Sequence, residues 1–184
     1  MTSVPAALGA AYLASELLLR FWRYSEVGNR DSGSLRLLWL VISVSMTAAW
    51  LAAANAKFAS FRLSGNGLYA TELLFLSGLA LRWWSIWILG KLFTVDVVIL
   101  PGHELVTSGP YRFVRHPSYT GMMMAFVALA VTLQNWISCL VILVPIGAAL
   151  NFRIRVEEAA LTEFFGDRYL SYRAKVARLV PFIY

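Results

Sequence analysis

The residues best suited to chemistry fall in two clusters of the C-terminal half. The first runs His103-Glu-Leu-Val-Thr-Ser-Gly-Pro-Tyr-Arg-Phe-Val-Arg-His-Pro-Ser-Tyr-Thr-Gly121, after Lys91 and Asp96. Gly102, Gly109, Pro101, Pro110 and Pro117 constrain its backbone at many points, and between them stand two histidines, two tyrosines and two arginines. Such a loop is suited to holding a ligand. Its Gly and Pro turns expose backbone hydrogen-bonding groups to an adenine or a carboxylate, and Tyr111 and Tyr119 add flat apolar faces with polar tips.

The second cluster is Asn151-Phe-Arg153-Ile-Arg155-Val-Glu157-Glu158-Ala-Ala-Leu161. On a helix, Arg153 shares a face with Glu157 at i, i+4, and Arg155 with Glu158 at i, i+3. As solvated pairs these would contribute only about 0.2–0.5 kcal/mol each. At the end of an apolar helix, a held guanidinium becomes a binding point for an anionic group instead. An isolated His116 reads as a capping or interfacial residue, but its neighbours favour ligand binding. His103 and His116 stand thirteen residues apart with no Cys or further His at metal-ligand spacing, so no metal site is expected.

The rest of the chain must position these clusters in a membrane. Of 184 residues, 59% are hydrophobic and 14% charged, with a mean hydropathy of +0.66. Soluble domains carry about 25% charged residues, so a water-facing globule is excluded. Five apolar segments, 4–22, 36–55, 67–90, 117–133 and 136–152, approach the roughly 17–25 residues that a bilayer crossing needs. Their continuous Leu, Ala, Val and Trp runs lack barrel alternation, which gives an all-α integral membrane bundle of five transmembrane helices in a single domain spanning 1–184. Gln134 and Asn135 alone join the last two segments, in a tight hairpin. Gly65, Asn66 and Gly67 read as a turn before the third.

With five crossings, one side receives the 20–36 loop, the 91–116 loop and the tail, with thirteen Lys and Arg; the other receives only Lys57 and Arg62. The net charge of +6 therefore reads as membrane topology rather than nucleic-acid binding. The N-terminus is expected outside, with the ligand loop and C-terminus cytoplasmic. Ala6, Ala10 and Ala14 form a small-residue stripe suited to close helix packing. Glu16 and Arg20 are spaced for an intrahelical pair, while Glu72 and Arg82, deeper in the apolar run, are candidates for function. Trp83, Trp84 and Trp87 fit an interfacial aromatic belt. Cys139 stands in an apolar run as a small hydrophobe.

The Arg-His-Pro-Ser-Tyr-x-Gly run ending at Gly121, followed by Arg153-x-x-x-Glu157-Glu158-x-x-Leu161, Phe164-Phe165-Gly166, Tyr169-x-x-Tyr172 and Pro181-Phe182, resembles the isoprenylcysteine carboxyl methyltransferases. That family is related to membrane phospholipid methyltransferases. The likeness covers about residue 90 onward, with a signature region of 91–184, and the first two helices contribute little. It implies an integral membrane enzyme that binds S-adenosylmethionine without a Rossmann domain, and the chain has neither a βαβ pattern nor Gly-x-Gly-x-x-Gly. Carried over by position, cofactor binding falls to His103, Glu104, Leu105, Val106, Tyr111, His116, Pro117, Ser118, Tyr119 and Glu157, and substrate binding to Arg153. Arg153 and Glu157 are the expected catalytic pair, beneath an amphipathic C-terminal helix.

The implied acceptor is lipid-bearing, a C-terminal isoprenylcysteine or a similar isoprenoid carboxylate. A carboxylate with a pKa near 4 is already nucleophilic at neutral pH and needs no general base. A phospholipid amine, the alternative acceptor, must first lose a proton, which would call on His116 or a glutamate. A non-enzymatic membrane adaptor or transport component is the alternative from another class.

Overall fold

The computed structural model describes residues 3–22, 33–93 and 104–181. His103, Asp96 and Phe182 lie outside them. Six α-helices are present: α1 (Ser3–Trp22), α2 (Ser34–Asn55), α3 (Gly65–Leu89), α4 (Pro117–Thr132), α5 (Trp136–Phe165) and α6 (Asp167–Lys175), and there is no β-strand among the described residues. Three of them, α2, α3 and α5, are long and apolar enough to cross a membrane; the apolar parts of α1 and α4 are shorter.

The helix starts follow local chemistry. Ser64 caps α3 by accepting from the Gly67 amide at 3.1 Å, so Gly65, Asn66 and Gly67 form the first turn of the helix and not a separate turn before it. Pro117 opens α4, where a missing amide costs nothing. Asn135 caps α5 through the Ser138 amide at 3.0 Å. The fifth apolar segment belongs to a helix that continues to Phe165, because Arg153 to Leu161 has no Gly or Pro to stop it. Gly166, at φ +53°, ends it and starts α6. Phe164, Phe165, Tyr169 and Tyr172 therefore divide between two helices. Phe164 is exposed, whereas Tyr169 is buried.

Helices α3 and α4 cross at glycines. A Cβ on Gly121 would lie 2.4 Å from the Gly78 carbonyl oxygen and 2.8 Å from the Arg82 amide; one on Gly78 would lie 2.6 Å from the Gly121 carbonyl oxygen. Small residues thus set the close approach here, and not at Ala6, Ala10 and Ala14, which are exposed. Helix α1 instead presents Tyr12, Ser15, Glu16 and Leu19 to the bundle. Glu16 pairs with Arg82 of α3, while the side chain of Arg20, its expected partner, lies outside the described residues: Arg82 Nε and Nη2 donate to the two carboxylate oxygens at 2.6 and 2.8 Å, and Nη1 donates to Ser118 Oγ of α4 at 2.8 Å. In a dry interior each ion would be costly alone, so the fork-to-carboxylate pair binds three helices. Trp83 Nε1 donates to Ser15 Oγ at 2.8 Å, while Trp84 and Trp87 stay exposed.

The end of the bundle that carries Lys57 and Arg62 is closed by one backbone and three side-chain hydrogen bonds to the turn between α4 and α5 and the start of α5. Phe61 N donates to the Gln134 carbonyl and Leu63 N to Gln134 Oε1, both at 3.0 Å. Asn135 Nδ2 donates to the Ala56 carbonyl at 2.8 Å, and Ser138 Oγ to that of Ala49 at 2.7 Å. The core between the ends is apolar, with Phe75, Phe126, Leu129, Ile142, Ile146 and Leu150 fully buried. Cys139 is buried beside it. Leu17, Leu40, Val44, Leu73, Leu140 and Val144 face outward, as lipid contact requires.

The glycine crossing sets a testable cost. Gly121→Ala places a methyl against the α3 backbone at both Gly78 and Arg82 and is expected to destabilise by about 1–3 kcal/mol or more. Gly147→Ala, in α5, adds a methyl with nothing within 4 Å of it and should hold or gain stability. Thermal unfolding of the two variants in detergent checks the contrast.

Candidate active site

At the end of the bundle opposite Lys57 and Arg62, α5 projects Arg153, Glu157 and Glu158 toward the loop that precedes α4. The 3.6-residue repeat buries Leu150, Arg153, Ile154 and Glu158 and leaves Phe152, Arg155 and Ala159 outward. A turn at Gly109–Arg112 leads into Val114, Arg115 and His116, and His116 occupies the N-cap position of α4.

Glu158 is the hub. Its Oε1 accepts from Arg115 Nε at 3.1 Å and lies 3.2 Å from His116 Nε2; its Oε2 accepts from Arg178 Nη2 at 2.9 Å. The expected Arg155–Glu158 pair does not form: Arg155 points outward, and three partners distant in sequence take the carboxylate. Because an ionised carboxylate only accepts, His116 Nε2 is the donor in this contact. His116 Nδ1 lies 3.9 Å from Glu157 Oε2. The imidazole, buried to 4% exposure, therefore sits between two carboxylates.

Arg153 is equally buried and is held on both sides. Its Nε donates to Tyr119 Oη at 3.0 Å and its Nη1 to Ser34 Oγ at 2.9 Å. Tyr119 also lies within electrostatic reach of the Glu157 carboxylate, and its ring stacks on that of His116 at 5.8 Å between centroids. Arg153, Tyr119, Glu157 and His116 thus form one connected group drawn from α4 and α5. Ser34, the first residue of α2, joins it without any sequence signal.

Other anticipated residues have different surroundings. Tyr111 is buried and its hydroxyl donates to the Ser85 carbonyl at 3.4 Å; burial pushes its ionisation upward. Pro117 is buried in the first turn of α4, and the Ser118 hydroxyl is taken by Arg82. Leu105 and Val106 are half-buried and Glu104 exposed. No group of three or more His, Cys, Asp or Glu that could hold a metal ion occurs among the described residues.

The tail closes over the loop. Arg115 N donates to the Ala177 carbonyl at 2.8 Å, His116 N to that of Arg178 at 3.2 Å, and Thr120 Oγ1 to that of Leu179 at 2.7 Å. Arg115 Nη1 donates to the carbonyls of Arg173 and Val176. The Tyr172 hydroxyl donates to the Tyr111 carbonyl; burial pushes its pKa up to about 12, against the pull of Arg115, so it remains a donor at neutral pH. The Tyr169 hydroxyl is fully buried with no hydrogen-bond partner among the described residues.

A sequence model of the isoprenylcysteine carboxyl methyltransferase (ICMT) family matches residues 70–163, which contain Arg82, His116, Arg153 and both glutamates. The chain belongs to the ICMT family. Protein-S-isoprenylcysteine O-methyltransferase B of Arabidopsis thaliana is 33% identical over 135 residues, covering 62% of this chain and 68% of that protein. The protein-S-isoprenylcysteine O-methyltransferase of Schizosaccharomyces pombe is 42% identical over 81 residues, 44% of this chain and 34% of that protein. The ICMT fold itself is shared with a solved eukaryotic intramembrane Ras methyltransferase, which superposes with a TM-score of 0.64 at 21% identity, covering 100% of this chain and 70% of that one. This ICMT-family chain is accordingly a multi-pass membrane methyltransferase with an all-helical fold.

Two substitutions test the site as built. Glu158→Gln weakens charged hydrogen bonds to three partners and should cost about 1.5–3 kcal/mol, with faster proteolysis near residues 176–181. Tyr169→Phe removes an orphaned hydroxyl while keeping the ring, so the melting temperature of the ligand-free protein should hold or rise.

Proposed function

We propose that this protein transfers a methyl group from S-adenosylmethionine to the carboxylate of a C-terminal isoprenylcysteine or a similar isoprenoid acid. The observation that carries the reading is the single buried group of Arg153, Tyr119, Glu157 and His116 at the end of an apolar bundle, in a chain of this family. The bundle is assigned five crossings, with the N-terminus outside and the site and tail cytoplasmic, on the thirteen-to-two distribution of Lys and Arg. The relatives' names supply the acceptor class.

The residues present fit the donor. Glu157 is a carboxylate with a side chain 32% exposed, able to face a sulfonium or an ammonium. The orphaned Tyr169 hydroxyl, within electrostatic reach of Glu157 and Glu158, is what a wall completed by a polar ligand would leave. His116, Tyr111, Pro117 and Tyr119, with Glu104, Leu105 and Val106 of the preceding loop and His103, would complete the donor pocket; Ser118 would support it through Arg82. When bound, the donor supplies a methyl carbon on a positively charged sulfur that departs as a neutral thioether.

Arg153 binds and orients the acceptor carboxylate. Tyr119 and Ser34 hold its guanidinium before any acceptor arrives, so little orientational freedom remains to be lost. Glu157 keeps Arg153 from facing the acceptor as an isolated cation, which would bind the carboxylate too tightly to react. No residue has to take a proton, because the nucleophile is already ionised. The tail, strapped over His116 and Arg115, keeps bulk water from the site.

Purified protein incubated with methyl-labelled donor and an isoprenylcysteine acid should yield a base-labile ester. A base-stable methylamine from a phospholipid would overturn the acceptor assignment, and absence of donor binding by folded protein would favour the adaptor. Arg153→Ala should lower turnover by at least about 100-fold, the scale of losing an orienting contact, while binding of S-adenosylhomocysteine is retained. His116→Ala should lose that binding.

A further inference from the structure

We propose that a groove between the end of α5 and the tail binds the phosphate-bearing headgroup of an anionic membrane lipid, separately from the methyl-transfer site. The groove is open and about 1050 Å³ in volume, and Arg115, Arg155, Arg173, Lys175 and Arg178 line it against only two carboxylates, Glu158 and Glu163. Arg115 and Arg178 are committed to Glu158, at 3.1 and 2.9 Å. Arg155, Arg173 and Lys175 are exposed and form no ion pair among the described residues. Three cations without an ion pair therefore converge from two chain segments against Glu163 alone, and Arg115 fixes those segments relative to each other by its contact with Glu158 and its hydrogen bond to the Arg173 carbonyl at 3.1 Å. Guanidinium forks facing a concave surface suit phosphate oxygens.

Depth selects the lipid over a soluble anion. The apolar run of α5 ends near residue 152. Arg155 stands three residues beyond it, about 4.5 Å along the axis, and the interfacial layer outside the hydrocarbon is about 5–7 Å thick on each side. The near wall of the groove thus lies at headgroup level. The surrounding chain also has apolar side chains suited to the lipid boundary: Phe164, Leu170 and Val180 remain 51%, 45% and 46% exposed, the pattern of a segment lying in an interface.

The test is retention of fluorescent phosphatidylglycerol by the purified protein in phosphatidylcholine nanodiscs, read as energy transfer from protein tryptophan. Arg155→Gln/Arg173→Gln/Lys175→Gln is expected to weaken retention at least fivefold, and Lys175→Gln alone to weaken it measurably. Lys57→Gln/Arg62→Gln, at the other end of the bundle, should leave it unchanged. Inorganic phosphate at matched ionic strength should not compete. Equal retention by the triple variant would overturn the site, as would an equal loss in the Lys57/Arg62 variant. Competition by millimolar phosphate would overturn the lipid assignment in favour of a soluble anion. None of these readouts depends on methyl transfer, so failure here is distinguishable from failure of the enzymatic reading.

Discussion

A carboxylate withdrawn from water must be met by donors, and at Glu158 that requirement organises the functional end of the molecule. Its partners come from the loop before α4 and from the tail beyond α6, so neither piece can settle without the other and without α5. The same oxygen that is bonded to Arg115 orients His116, so folding of the tail and orientation of the imidazole are one event. The backbone pairing of residues 115 and 116 with 177 and 178 follows the same path and reinforces it. Buried ionic groups of this kind add little net stability compared with apolar packing, but breaking one is costly, which favours a single arrangement of the site.

The bundle beneath obeys a related rule. Glu16 and Arg82 neutralise each other across α1 and α3, and the third donor of the guanidinium reaches Ser118, the second residue of α4. A residue of the signature is thereby tied to helices that contribute no chemistry. One turn from Arg82, Gly78 and Gly121 let α3 and α4 touch at backbone distance, so this tie sits next to the tightest crossing in the fold.

What was legible in the sequence was what is local. The apolar segments, the first-turn proline at 117, the Gln134–Asn135 hairpin and the common face of Arg153 and Glu157 all follow from spacing along one helix or turn. The pairings were not legible. Glu16 takes a partner 66 residues away, which no spacing along its helix announces, and Glu158 had an apparent partner three residues away but takes partners 42, 43 and 20 residues off. Short-range spacing offers candidate partners, whereas packing decides which donor a buried charge meets. The alanine stripe of α1 misled for a similar reason: small residues permit close approach but do not say which face is covered. Ser34 carried no signal, since a serine at a helix start reads as a cap until Arg153 is placed beside it.

Helix α5 also works as a ruler. Asn135 anchors its first turn to the Ala56 carbonyl at one end of the bundle, and seventeen residues separate Trp136 from Arg153, about 26 Å at 1.5 Å per residue. The hydrocarbon layer is about 30 Å thick. The guanidinium is thus held at a fixed distance, close to the thickness of that layer, from the turn anchored at the opposite end of the bundle, and the length of a single helix sets that spacing.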